Sequence, residues 1–151
     1  MLRMEVIEQL TQPVMYVAAT SSIDDISETI STGYRKIMDY LQLMGVSPTG
    51  SPYTAYYNQD MSNLSIQMGF PVKDALPETD DVKAGVIPSG KYVTTVYKGP
   101  YTGILKMFEE VFKWIDENGL KQSGIYYEYY VNSPEEVDEN DLLTKIIIPI
   151  K

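Results

Sequence analysis

The second half of this 151-residue chain repeats the first at a constant spacing of 74 positions, and that repeat constrains the fold more than any other feature. Tyr34, Ile37, Met38, Leu41 and Gly45 return as Phe108, Val111, Phe112, Ile115 and Gly119. Beyond them, Gly50, Tyr53, Tyr56 and Asn58 return as Gly124, Tyr127, Tyr130 and Asn132 without an insertion. A helical stripe, its terminating glycine and a following strand agree in one register, so the chain reads as an internal duplication.

The elements inside the repeat follow from periodicity. From Ile26 to Met44, apolar side chains recur every three or four residues, at Ile30, Tyr34, Ile37, Met38 and Leu41, which predicts an amphipathic helix. Ser22, Asp24 and Asp25 stand before it as candidate N-caps, and Gly45 followed by Val46 predicts a left-handed C-cap. A second helix follows Pro100, carries Ile104, Leu105, Phe108, Val111, Phe112 and Ile115, and closes at Gly119 and Leu120. Strands are predicted at 14–20, 52–58 and 64–72 around the first helix, and at 91–98, 125–131 and 143–150 around the second. Shorter strands at 3–8 and 82–87 lead into the halves, and turn-rich 73–81 reads as a linker. Each half is then strand-helix-strand-strand, and the class is α+β with antiparallel sheets and two main helices. A chain of this length forms one domain, with modules at about 1–72 and 82–151.

Charge and composition remove several function classes. Twelve basic against 21 acidic residues give a net charge of −9, which opposes the phosphate neutralisation on which nucleic-acid affinity rests, so no direct nucleic-acid binding is expected. The chain has no cysteine and no histidine, which excludes disulfides, thiol nucleophiles, histidine bases and the usual zinc sets. No metal and no cofactor is expected, and any chemistry falls to Glu, Asp, Tyr, Lys or bound water. The acidic run from Pro134 to Asp141 lacks the ligand alternation and glycine of a calcium loop and reads as a solvated connection. The N-terminus lacks an apolar signal core and no apolar run spans a bilayer, so a soluble cytoplasmic protein without a membrane partner is expected.

The strand Tyr126-Tyr127-Glu128-Tyr129-Tyr130 is the chemically richest segment. Alternation puts Tyr126, Glu128 and Tyr130 on one face and Ile125, Tyr127, Tyr129 and Val131 on the other. Aromatic faces attract cations by roughly 0.5–2 kcal/mol each, so an acid among rings suits a flat or cationic small molecule. From strand composition alone, the plainer reading is a glutamate pointing into water.

The stretches Gly90-Lys-Tyr92-Val-Thr-Thr-Val-Tyr-Lys-Gly99-Pro100-Tyr101, Trp114-Ile-Asp-Glu-Asn118-Gly119, Tyr127-Glu128-Tyr129-Tyr130-Val-Asn132-Ser-Pro134 and Leu143-Thr-Lys-Ile-Ile-Ile-Pro149-Ile150 resemble the GyrI-like effector-binding domains, the module that forms the drug-sensing half of some multidrug-responsive transcription activators. The resemblance covers nearly the whole chain, with Gly50-Ser-Pro52-Tyr53 and Gly69-Phe-Pro71-Val72 as landmarks of the looser first half. It implies two strand-helix-strand-strand modules related by a pseudo-twofold axis, with a ligand groove between the halves. In such relatives a glutamate matching Glu128 faces the groove and meets lipophilic cations. Tyr126 and Tyr130 then become pocket walls, and Tyr56 is the internal counterpart of Tyr130. Thr54, the counterpart of Glu128, and Met68 follow from alternation and symmetry. Tyr92, Tyr97 and Tyr101 are read as setting the helix entry and Trp114 as sealing the core edge.

The leading functional expectation is a stand-alone binder of lipophilic, cationic, drug-like molecules, with transcriptional control requiring a DNA-reading module on another polypeptide. The second is hydrolysis of electrophilic cyclopropane-containing toxins with Glu128 as base, because an apolar groove raises a carboxylate's pKa toward the working range. Relatives of that kind place tryptophan before the acid, where this chain has Tyr127. The third is inhibition of gyrase by an acidic surface.

Overall fold

A computed structural model describes residues 3–151, which form eight strands and two α-helices. In chain order these are β1 (Glu5–Gln9), β2 (Gln12–Ser21), α1 (Ile26–Met44), β3 (Tyr53–Tyr56), β4 (Leu64–Pro71), β5 (Lys83–Ile87), β6 (Gly90–Lys98), α2 (Ile104–Glu117), β7 (Tyr126–Tyr130) and β8 (Leu143–Pro149). The α+β class and all predicted segments are present.

Both helices end in the same way. Gly45 has φ 68° and Gly119 φ 70°, a left-handed backbone that side chains other than glycine's resist. Val46 N–H then donates to the Leu41 carbonyl at 2.9 Å, and Leu120 N–H to that of Ile115 at 3.0 Å. At the start of α1, Asp25 occupies the N-cap position but makes no side-chain cap bond; instead its own N–H donates to Ser22 Oγ. Helix α2 is preceded by a 3-10 turn, Tyr101–Gly103. Its buried stripe is Ile104, Met107, Phe108, Val111 and Ile115. Leu105, expected in that stripe, is exposed, because i, i+3 and i+4 spacing from Ile104 selects Met107 and Phe108.

The chain divides into two compact units. One is Leu10–Ser89, with α1 over an antiparallel sheet in the order β3-β4-β2-β5. Its core includes Val14, Met15, Val17, Ile37, Leu41, Leu64, Ile66 and Met68. The other is Gly90–Lys151 together with the N-terminal stretch through Gln9, with α2 and an antiparallel sheet in the order β1-β6-β8-β7. Its core includes Val93, Ile104, Met107, Phe108, Val111, Ile146 and Ile148. The lead-in strands are exchanged. β1, which precedes the first helix, pairs with β6, and β5, which precedes the second, pairs with β2.

Strand registers repeat as closely as the helices do. In the Leu10–Ser89 unit, Val17, Met68 and Thr54 lie side by side on one rung, and Ala19, Ile66 and Tyr56 on the next along that face. In the other unit the equivalent rungs are Thr95, Ile146 and Glu128, then Tyr97, Thr144 and Tyr130. Residues directly opposed in an antiparallel ladder point to the same face, so each rung is a row of three neighbouring side chains. The register places Thr54 and Glu128 in equivalent positions, as the 74-residue spacing requires.

Candidate functional site

Glu128 lies in the middle of β7 and is 5% exposed. Alternation carries its side chain to the same face as Tyr126 and Tyr130, and α2 covers that face. Tyr126 is gripped by the helix, its ring 4.6 Å from that of Phe108 and 5.8 Å from that of Phe112. At the other end of the strand, Tyr130 stands edge-on to Tyr101 at 5.8 Å. The Tyr130 hydroxyl donates to Glu128 Oε2 at 2.7 Å, the short contact of a charge-assisted bond. A buried carboxylate is thus held by a phenol and bracketed by rings from strand, 3-10 turn and helix.

The acid leaves its mark on its neighbours. Burial pushes the Tyr126 phenol up to about 12, and the negative charge of Glu128 adds to the shift. Tyr101 moves up for the same two reasons, burial first. Both hydroxyls therefore remain protonated donors across the neutral range. On the opposite face, burial and the neighbouring Tyr92 raise the Tyr129 phenol further still.

Tyr101 lies outside the expected wall residues, because the Gly99-Pro100 turn beside it signals helix entry in the sequence. The turn does set that entry, with the Tyr97 hydroxyl donating to the Pro100 carbonyl at 2.8 Å. It also delivers Tyr101 to Tyr130. An aromatic residue three positions before a helix that crosses a tyrosine strand was the available signal.

Thr54, Tyr56 and Met68 lie in the Leu10–Ser89 unit, all three buried. The Tyr34 hydroxyl lies 3.0 Å from Thr54 Oγ1 and donates to the Tyr53 carbonyl at 2.6 Å. At the position equivalent to Tyr34 the other unit has Phe108, which lacks a hydroxyl, and the acid there takes its bond from Tyr130 instead. Met68 lines an open groove of about 450 Å³ between α1 and the outer part of β2, together with Val17, Ala19, Thr29, Gly33 and Lys36. Two small residues, Ala19 and Gly33, lie among its walls. At the position equivalent to Ala19, Tyr97 packs against the 3-10 turn, its hydroxyl occupying the room that a Cβ on Gly103 would need.

Among the described residues, no group of acidic side chains is arranged to hold a metal ion, and no helix is long and apolar enough to cross a membrane.

Solved structures that share this fold include the following three. EcmrR, in its DNA complex within EcmrR-RPo, superposes with a TM-score of 0.90 at 19% identity; the match covers 99% of this chain but only 57% of that one. SAV2435 bound to tetraphenylphosphonium gives 0.75 at 14% identity, over 99% of this chain and 94% of that one. A hydrolase from Listeria innocua gives 0.71 at 14% identity, over 99% and 92%. No curated protein sequence matches the chain. The repeat, the two helix-covered sheets and the sequence of residues 4–151 agree with one description, the GyrI-like small molecule binding domain, and the chain belongs to that family.

Proposed function

We propose that the α2-covered face of β7 is the recognition surface for lipophilic organic cations, with Glu128 as the anionic anchor and Tyr126, Tyr130 and Tyr101 as aromatic walls. The observation that carries this reading is a carboxylate 5% exposed among three tyrosines, one of which donates to it at 2.7 Å. Burying a carboxylate costs several kcal/mol unless hydrogen bonds or a counter-charge offset it, and a delocalised cation supplies the counter-charge while the rings attract it. The tetraphenylphosphonium held by the similar fold of SAV2435 is a molecule of that kind. In the Leu10–Ser89 unit, Tyr56, Thr54 and Met68 are assigned as ligand-facing residues of its own α1-covered face, where Met68 lines an open groove. With no basic patch required, the ligand is a small molecule, in keeping with a cytoplasmic sensor or sequestering protein.

The test is calorimetric titration of tetraphenylphosphonium into the wild-type chain and Glu128→Gln. The isosteric amide keeps the volume and removes the charge, so affinity is expected to fall at least about tenfold, the equivalent of about 1.4 kcal/mol. Equal affinity in the two proteins would remove Glu128 from the site.

A second reading is hydrolysis, favoured by the Glu128–Tyr130 contact, in which a carboxylate and a phenol are already hydrogen-bonded, and by the Listeria innocua hydrolase of the same fold. In that reading Glu128 takes a proton from water, the water oxygen bonds to the electrophilic carbon of a strained ring, and the breaking bond's electrons leave with a proton delivered from a tyrosine hydroxyl. Incubation with a cyclopropane-bearing electrophile distinguishes the two: a product heavier by one water, formed by wild type and not by Glu128→Gln, establishes catalysis.

A further inference from the structure

The rungs beside Glu128 carry two polar groups that the fold does not use. Thr95 is 3% exposed and Thr144 0%, and neither Oγ1 has a hydrogen-bond partner among the described residues. Thr144 lies diagonally across from Glu128 on the adjacent strand, and Thr95 lies one strand further on the Glu128 rung, all on the face covered by α2. Diagonal neighbours on adjacent strands, such as Thr144 and Glu128, are about 7–8 Å apart at Cβ, and Ile146 stands between Glu128 and Thr95 on their shared rung.

The duplicated unit serves as an internal control. At the positions of Thr95 and Thr144 it has Val17 and Ile66, both buried and apolar. The same ladder therefore forms without these hydroxyls, and valine has nearly the shape of threonine. Two other strand threonines are satisfied: Thr94 donates to the Ile146 carbonyl at 3.0 Å, and Thr54 meets Tyr34. An unmet buried hydroxyl is unfavourable, and here two of them share the acid's face, one on its own rung and one on the next, only in the unit that has the acid.

We infer that Thr95 and Thr144 are part of the Glu128 site and that they select cations bearing N–H groups, such as ammonium or amidinium, over fully substituted ones. The inference rests on Glu128 being the cation anchor. A phosphonium or quaternary ammonium presents only carbon and hydrogen to the hydroxyls and leaves them unmet. An amidinium offers several donors in one plane, enough for the carboxylate and for hydroxyl lone pairs on neighbouring rungs.

The experiment compares two probes, tetraphenylphosphonium and benzamidinium, by calorimetry on wild type, Thr95→Val/Thr144→Val and Glu128→Gln. The double variant is expected to melt at or above the wild-type temperature, to bind tetraphenylphosphonium within about twofold, and to bind benzamidinium about tenfold more weakly, as loss of hydrogen bonds to a charged group predicts. Equal effects on both probes, no effect on benzamidinium, no benzamidinium binding by wild type, or a lower melting temperature would each overturn the inference. Glu128→Gln separates the two levels. If it binds tetraphenylphosphonium as wild type does, the anchor itself is wrong; if it loses that binding while the threonine variant does not discriminate, only the N–H selectivity fails.

Discussion

Tyr126 shows how one residue links the site to the stability of the whole chain. Its ring is 4% exposed between Phe108, Phe112 and Glu128, and its folded-state pKa is about 12 against about 10 for a free phenol. A group whose pKa is raised on folding stabilises the fold fully below its unfolded value and loses that contribution as pH climbs through the folded one. Stability is therefore expected to fall between about pH 10 and 12. Comparing urea unfolding of wild type and Tyr126→Phe across this range isolates this residue from the other twelve tyrosines. The wild type should lose on the order of 1 kcal/mol more than the variant, allowing for solvent screening. Parallel curves would mean that Tyr126 titrates as a free phenol. At this scale the sequence showed which side chains share a face, because strand alternation is rigid. It did not show that Glu128 is buried, because burial depends on where α2 crosses β7, and it left out Tyr101, which reaches Tyr130 only through the 3-10 turn.

The helices were the most legible elements, and their ends explain why. A stripe recurring every three or four residues and a glycine with nowhere else to go conformationally are local signals that tertiary packing does not overrule. Gly45 and Gly119 have open space around a hypothetical Cβ, so substitution there meets no clash and reports only the left-handed backbone. Gly45→Ala and Gly119→Ala are each expected to cost about 1 kcal/mol in denaturant unfolding, and the double variant to sum the two. Different penalties at the two caps would show that the repeat is not equivalent energetically. The N-terminal ends were less legible: of three candidates before α1 the structure uses Asp25 without its side chain, and Leu105 is exposed where an apolar contact was expected. Both depend on the exact entry angle of the helix, which a pattern of residue types does not encode.

Across the whole molecule the repeat was visible where its two copies have equal length and hidden where they do not. Helices and the strands that follow match at 74, whereas Val17 matches Thr95, and Met68 matches Ile146, at 78. Val17 stands 17 positions before Tyr34 whereas Thr95 stands 13 before Phe108, and the second copy has the longer connection between β7 and β8, so the rung that sets Thr95 against Val17 emerges only from the paired strands. The exchange of lead-in strands was equally hidden, because β1 is short and mostly exposed, β5 is short and mostly half-buried, and both carry little pattern of their own. That exchange makes a prediction about cooperativity. β1 adds a ladder from Glu5 to Gln9 along β6, yet contributes few buried side chains, so deleting residues 1–9 should weaken that ladder without dissolving the fold. In hydrogen exchange, amides of 90–94 that face β1 should exchange about tenfold faster or more, as the loss of a partner strand worth on the order of 1–2 kcal/mol implies. Amides of Gln12–Tyr16 should keep their rates, because their edge partner is β5 and lies within their own unit. Equal loss of protection in β2 and β6 would mean that the units unfold together, and that the exchanged strand serves the molecule rather than the sheet it edges.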